Sequence, residues 1–520
     1  MTPWVRATLR DLGAERADLL VIGGGITGAG IARDAALRGL RVALVEARDF
    51  GSGTSSRSSR LIHGGLRYLE QGRLHLVMES LRERAILLEL APHLIRPLPF
   101  VLPFFRSDRV PGWKARLGLT LYDLLAGRGN VRRHQTLGKR ALLEIEPLLR
   151  ESGLTGGALY YDAQCDDARL TLAVIRAAAR AGARVANYTQ VAELLREGDS
   201  VTGARLRDEH TGAQGETRAR IIINATGPWT DAVRQLEAPG AAPILRLTKG
   251  VHLIVPQARI GNQHAILFTS PLDGRVMFVL PWNEWTYVGT TDTDSTAVPD
   301  AVTADETDLV YLLRSANAMF PGAHLGPEDV VSSWAGLRPL LGADPGAPAS
   351  LLSREHRILR GPLGMLTIAG GKLTTFRSMA RDVVDRAMQE LDVKSEESGQ
   401  RSKTEPLPGG EAAVSVELRR AGRTLGLSSE TVQYLVRQYG TEIVALYRLC
   451  RERPELRNPL HPEHAAIAAQ VVFGIEQEFA CTAADILERR TRLALETRDH
   501  GDAARPAVER LLLERRGGLS

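Results

Sequence analysis

Gly23, Gly25 and Gly28 stand in G-x-G-x-x-G spacing between an apolar run, DLLVIGGG, and a run of helical character, ITGAGIARDAALRG. The chemistry that spacing serves is dinucleotide recognition: bare backbone, Gly24 included, admits a pyrophosphate, and the helix N-terminus offers it unpaired N–H groups. Glu46 ends the next apolar run, RVALVE, where its carboxylate suits adenosine ribose hydroxyls and repels a 2′-phosphate. Thr54, Ser55 and Ser56 open a donor-rich stretch, TSSRSSR, fitted to a second phosphate contact. Ala225 and Gly227 lie in NATGPW, a small-residue turn that brings backbone close to a ligand. In AGGKLTTFR, Gly370 and Gly371 turn the chain, and Leu373 and Thr374 begin a helix. Its N-terminus would stabilise negative charge at N1 and O2 of a reduced flavin, which suits FAD better than NAD.

These residues need a scaffold, and the pattern around them supplies one. Asp18 to Glu46 reads as strand, glycine turn, helix and strand, with Gly39 as the helix stop. Helical periodicity from Arg169 to Gly182 precedes β-rich runs such as RVANYTQVAEL. From Leu245 the pattern changes to short strands between turns, GVHLIVP, GRVMFVLPW and EWTYVG, which predicts an antiparallel cap with strands near 245–340. EESGQRSKTEPLPGG is polar and rich in Ser, Pro and Gly, as a linker is. The expected fold class is α/β: a Rossmann-type dinucleotide domain with an inserted antiparallel-sheet substrate cap over 1–392, a linker over 393–411, and a helical accessory domain over 412–520.

Composition narrows the class further. At 520 residues the chain exceeds the size of one hydrophobic core. Its net charge of +5 is spread thinly, and the densest basic stretch, Arg128 to Arg140, reads as a solvated loop. Three cysteines, Cys165, Cys450 and Cys481, are too few and too far apart for a disulfide framework or a CxxC pair, so a reducing compartment is expected and no metal site. No secretion signal is visible at the N-terminus, and no stretch reaches the ~20 apolar residues of a spanning helix. The nearest candidate, Leu94 to Phe105, holds an arginine and three prolines.

With these segments in hand, the chain resembles the FAD-dependent glycerol-3-phosphate dehydrogenases of the aerobic, quinone-linked type. The resemblance rests on DLLVIGGGITGAGIARDAALRG, GTSSRSSRLIHGGLRYLE, YYDAQCDDARL, INATGPW, LTKGVHLIVP, PWNEWTYVGTTDT, WAGLRPLL and AGGKLTTFR, in family order from Asp18 to Arg377. It implies FAD as cofactor, oxidation of sn-glycerol 3-phosphate to dihydroxyacetone phosphate, and a membrane quinone as electron acceptor. A doubly charged phosphate ester needs at least two cations. Arg67, Tyr68, Arg338 and Lys372 match the family's substrate positions. Hydride loss from the central carbon also requires a base for the hydroxyl proton, and histidine titrates in the useful range. His252 is the first candidate and His63 the second, while Arg338 and Lys372 are placed to hold a developing alkoxide.

Two rival readings carry their own tests. A glycine- or sarcosine-type FAD amino acid oxidase shares the architecture but needs fewer cations for a carboxylate. A basic, FAD-stabilised scaffold would bind nucleic acid or protein through Arg128 to Arg140 and the C-terminal helices, yet no RNA-binding module is recognisable and no nucleic acid partner is expected. Cytoplasmic residence is expected, with peripheral contact at the inner face of the cell membrane through WKARLGLTLYDLLAG (113–127) or the LPFVLPFF run. A homodimer is a further expectation.

Overall fold

Ala17–Ile22 is six consecutive buried residues, ADLLVI, a run that only a strand covered on both faces can hide. In the computed structural model, which describes residues 6–342, 354–393 and 400–517, it is the centre of a parallel array. Gln214–Asn224 pairs on one side, Leu19 opposite Ile221, and Val42–Val45 on the other, Leu19 opposite Val42. Arg184–Ala186 and Leu366–Gly370 extend the array in parallel at its two ends. The helix Ile26–Leu37 is buried along almost all of its length and packs between the helices Asp167–Arg180 and Phe376–Leu391. Gly30 makes that packing close: a Cβ there would come 3.0 Å from the Phe376 ring. Full burial of a ring such as Phe376 is worth about 1.5–3 kcal/mol.

A second sheet stands against the first. Its strand order is Thr293–Asp294, Leu245–Pro256, Trp285–Gly289, Val276–Trp282, Ala265–Thr269, Ile95–Phe105, Leu154–Cys165, Leu61–Ile62, with Ser332–Leu341 also on Leu245–Pro256 and Gln135–Gly138 on Leu154–Cys165. The cap is therefore wider than the 245–340 stretch, because four strands come from the first third of the chain. LPFVLPFF belongs to one of them. Pro97, Pro99 and Pro103 share one strand parity, so their missing donors lie along one edge, and the ladder from Ile95 opposite Cys165 to Phe105 opposite Leu154 runs its whole length. Most of that strand is buried, which corrects the expectation that LPFVLPFF meets lipid.

Register decides what the second sheet shows to the cavity. Thr248, Gly250 and His252 lie directly across from Arg338, Gly336 and Trp334, all of one parity and so all on one face. The two glycines leave room there: a Cβ at Gly250 would fall 2.2 Å from Arg338 Nη2, so the guanidinium lies across bare backbone.

Residues 400–517 form helices, among them Val416–Thr424, Ser429–Tyr439, Ile443–Glu452, Ala469–Gln477 and Arg505–Gly517, around their own core with a short hairpin, Pro459–His461 and His464–Ile467. Part of the expected linker, 394–399, lies outside the described residues. The rest is anchored rather than free. Arg33 Nη1 donates to Ser402 O at 2.9 Å, and Leu407 N to Leu90 O at 2.9 Å. Leu407 is fully buried. Polar composition predicted a linker here because the anchoring contacts are made by backbone carbonyls and amides, which composition does not report.

Candidate active site

The first turn of the parallel sheet is built by steric exclusion. Gly23 adopts φ +109°, and a Cβ there would lie 2.7 Å from Ala225 O; at Gly28 it would lie 1.9 Å from Gly23 O. Only glycine allows this helix to sit so close on its strand. Glu46 closes the turn from below, Oε2 accepting from Gly24 N at 2.7 Å and Oε1 from Arg48 N at 2.9 Å. Burial pushes its carboxyl up, and those two amides oppose the shift. Ser55 Oγ accepts from Ile26 N at 2.9 Å, at the start of the helix.

From this turn a single cavity of about 3060 Å3 runs to the face of the second sheet. It exceeds the ~300–1,000 Å3 of an ordinary ligand pocket several-fold. Gly23, Gly25, Glu46, Thr54, Ser55, Ala225 and Gly227 line it. So do His63, Tyr68, His252, Arg338 and Lys372, with Gly370, Gly371, Leu373 and Thr374. Gly24, Gly28 and Ser56 stand behind this lining, where Gly24 presses on the Phe50 ring and Ser56 is buried. Arg67 opens the short helix Arg67–Glu70, and its side chain lies outside the described residues.

The cations are fixed by neighbours rather than left to wave. Arg338 Nη1 donates to Asp292 Oδ1 at 3.0 Å and Thr291 O at 3.1 Å, and Nη2 to Thr290 Oγ1 at 2.7 Å. Lys372 Nζ donates to Ser80 Oγ at 2.8 Å and sits 4.2 Å over the Tyr68 ring. Burial, with Arg354 adding to it and Glu79 opposing, brings the Lys372 ammonium down to about 8.

Both histidines are held neutral. His252 Nε2 lies 2.9 Å from Ser59 Oγ, and its ring stacks on Trp334 with centroids 4.8 Å apart and planes 7° from parallel. Burial, then the positive charges of Arg338 and Arg60, lower its imidazole to about 3. His63 is lowered to about 4 by burial first, with Lys372, Arg354 and Arg84 adding and Asp162 opposing. Its backbone N–H donates to Thr374 Oγ1 at 3.1 Å, tying the HGG turn to the GGKLTT turn.

Several residues in the cavity wall or packed behind it escaped the sequence reading. Arg354 lines the cavity and acts on both His63 and Lys372, yet it sits in LLSREHR, which carries no motif. Ser59 and Trp334 fell inside recognised segments without being singled out; the two-residue step from Trp334 to Gly336 to Arg338 along a strand was the available signal. The TSSRSSR donors are largely spent within the protein. Thr54 Oγ1 donates to Leu337 O at 2.6 Å, Ser58 Oγ to Asp167 Oδ2 at 2.7 Å, and the Arg60 guanidinium lies in a cage of Trp282, Tyr287 and Trp334.

Comparison with known proteins now adds to this geometry. Residues 18–377 match the family of FAD dependent oxidoreductases, and residues 400–517 match the C-terminal domain of alpha-glycerophosphate oxidase. This chain belongs to the FAD dependent oxidoreductase family. It is 40% identical over 513 residues to the mitochondrial glycerol-3-phosphate dehydrogenase of Macaca fascicularis, covering 95% of this chain and 70% of that protein. It is 38% identical to the aerobic glycerol-3-phosphate dehydrogenase of Staphylococcus haemolyticus, covering 93% of this chain and 88% of that protein. Among solved structures, the glycerol-3-phosphate dehydrogenase from Bacillus halodurans complexed with FAD superposes with a TM-score of 0.80 at 34% identity, over 98% of this chain and 92% of that one. A glycine oxidase from Geobacillus kaustophilus, at 23% identity and a TM-score of 0.50, shares the fold alone.

The cavity fits FAD on its own terms. The glycine turn and the start of Ile26–Leu37 would take the pyrophosphate, Glu46 the adenosine ribose, and the 370–374 turn the isoalloxazine edge. Glu46 and Lys372 line one continuous space, whose volume of about 3060 Å3 accommodates a dinucleotide together with a small substrate.

Proposed function

We propose that this chain oxidises sn-glycerol 3-phosphate to dihydroxyacetone phosphate and passes the electrons to a membrane quinone. The observation that supports it most is that three cations line one cavity with two neutral histidines, Arg338 acting on His252 and Lys372 and Arg354 acting on His63. Three cations exceed what a carboxylate needs and suit a phosphate ester that is nearly dianionic at pH 7. FAD, when bound, accepts the hydride from the substrate's central carbon and releases the two electrons to the next carrier. The protein's part is to hold the phosphate on Lys372 and Arg354, to stabilise the alkoxide with Arg338, and to take the hydroxyl proton on His252. Nε2 receives it, with the Ser59 hydroxyl in the path. In this reading Tyr68 keeps Lys372 aimed, and His63 braces the turn through its backbone.

Lys372 gives a direct test. Its ammonium form binds the phosphate, and in the free enzyme that form is lost as pH rises through about 8. The kcat/KM for sn-glycerol 3-phosphate, which reports the free enzyme, should therefore fall with a limb near pH 8, and Lys372→Arg should move that limb beyond the measurable range. Glycerol should support no turnover. A profile flat to pH 10, or equal turnover of glycerol and its phosphate, would remove this assignment.

A quinone acceptor requires contact with lipid. No helix among the described residues is long and apolar enough to cross a membrane. The helix Gly112–Ala126 instead exposes Trp113 at 67%, Leu117 at 63% and Leu124 at 75%, with Lys114 and Arg116 alongside. Lys114, Leu117, Gly118 and Leu121 also line the cavity, so this helix forms one of its walls. An apolar stripe with flanking basic residues binds an anionic bilayer from one side, and we place the chain peripherally on the inner face of the cell membrane. In flotation with anionic vesicles the protein should rise with the lipid, and a Trp113→Ser, Leu117→Ser double variant should stay below. A parent that remains wholly in the aqueous fraction would end the peripheral reading.

A further inference from the structure

The C-terminal domain reaches back into the first domain with three arginines from one short segment, 489–492, and the carboxylates they meet support the cofactor loops. Arg490 Nη2 donates to Asp49 Oδ1 at 2.9 Å and Nη1 to Asp49 Oδ2, while Arg489 Nε donates to Asp49 Oδ2 at 2.5 Å. Asp49 is buried and lies three residues beyond Glu46. Its neighbour Phe50 packs on the glycine turn, where a Cβ at Gly24 would lie 2.5 Å from the ring. Phe479 of the C-terminal domain meets the other side of this arrangement, edge-on to Phe50 at 5.6 Å.

The second loop is held in the same way. Arg492, at φ +63°, donates through Nη2 to Asp166 Oδ1 at 2.7 Å and to Asp167 Oδ1. The other Asp167 oxygen accepts from Ser58 N at 3.0 Å and Ser58 Oγ at 2.7 Å. Ser59, next in the chain, is the residue on His252 Nε2. A third touch is direct: Thr482 lines the cavity next to Tyr188, whose hydroxyl donates to Asp485 Oδ1 at 2.6 Å.

We infer that segment 479–492 of the C-terminal domain is a clamp on the cofactor, fixing the loops 46–50 and 54–60 so that the domain sets how long FAD stays bound and how His252 is presented. The inference rests on the reading of this cavity as the FAD site. Buried ion pairs are poor sources of net stability, because desolvation offsets their attraction, and replacing both partners by apolar groups is often neutral. Their value is positional. A loop pinned on one carboxylate by the Arg490 fork and a further donor from Arg489 loses its freedom before the ligand arrives, so less ordering remains to be done on binding. Breaking one partner leaves the other charge buried and the loop free.

The test uses the full-length holoenzyme. Asp49→Asn should release FAD at least tenfold faster, followed by the rise in flavin fluorescence on dilution. Because Asp49→Asn leaves the buried Arg490 without its carboxylate, while Arg489 keeps Asp485 and Glu488, and so risks unfolding, the double variant Asp49→Asn, Arg490→Met removes that unpaired charge. It should fold, by far-UV circular dichroism and a Tm near the parent apoprotein, and still lose FAD about tenfold faster. A control pair lies on the same domain interface but lines no part of the cavity: Glu442 accepts from Arg176 at 2.5 and 2.8 Å. Glu442→Gln should lower Tm while leaving FAD release within twofold of the parent. The clamp is overturned if the double variant keeps FAD like the parent, or if Glu442→Gln loosens FAD equally. A parent that takes up no FAD would fail the cofactor reading itself, a different result.

Discussion

Arg338→Met should lower kcat/KM for sn-glycerol 3-phosphate by about a thousandfold while leaving bound FAD unchanged. Removal of a single preorganised donor at a developing oxyanion typically costs ~10²–10³ in rate, about 2.7–4 kcal/mol, and Arg338 is a charged, forked donor at the upper end of that range. Its guanidinium is already tethered by Asp292, Thr291 and Thr290, so the substrate meets a cation in place. The substitution does further harm by leaving Asp292 without its cation next to an anionic substrate. The double variant with Asp292→Asn should therefore recover part of the loss. Arg338→Lys should recover little, since one ammonium cannot replace a fork lying across Gly250. A loss below tenfold for Arg338→Met would take this residue out of the site.

His252→Phe carries the second large effect. Phenylalanine preserves the parallel stack on Trp334 and the fit against Gly289, where a Cβ would meet the imidazole at 2.1 Å. It removes both nitrogens and nothing else of consequence. General base catalysis contributes ~10²–10⁴, so kcat should fall by that factor with KM moving only a few-fold. The pH profile of the parent adds a constraint. His252 is pushed down to about 3, so its neutral, proton-accepting form is present throughout the working range, and no acid limb from it should appear above pH 4. A kcat for His252→Phe within fivefold of the parent would assign the proton elsewhere, with His63 next in line.

How much of this was legible before the fold depended on whether an interaction is local. The glycine turn, Glu46 and the GGKLTT turn are contiguous devices whose geometry is written in neighbouring residues, and they lie on one cavity as their spacing implied. The antiparallel cap was visible in the period-two runs after Leu245. Its extension back to Ile95–Phe105 was not, because prolines normally speak against a strand, and only the shared parity of Pro97, Pro99 and Pro103 makes them compatible. Arg354 is invisible for a different cause: its place on the cavity, just before the strand His356–Arg360, comes from the fold and not from a motif around it. The hydroxyl and guanidinium donors of TSSRSSR were assigned outward to a phosphate, whereas Thr54, Ser58 and Arg60 bind inward, since donor type alone does not say which side of a loop faces the ligand. The clamp from Arg490 to Asp49 spans 441 positions and joins two domains, and no local pattern encodes such a pair.

The most direct test of the central claim is anaerobic reduction of the purified holoenzyme, followed at the flavin absorbance band. Addition of sn-glycerol 3-phosphate should bleach the band, and glycerol and glycine at the same concentration should leave it intact. Bleaching by glycine with none by the phosphate ester would contradict the account and return Arg338 to the role of a carboxylate anchor.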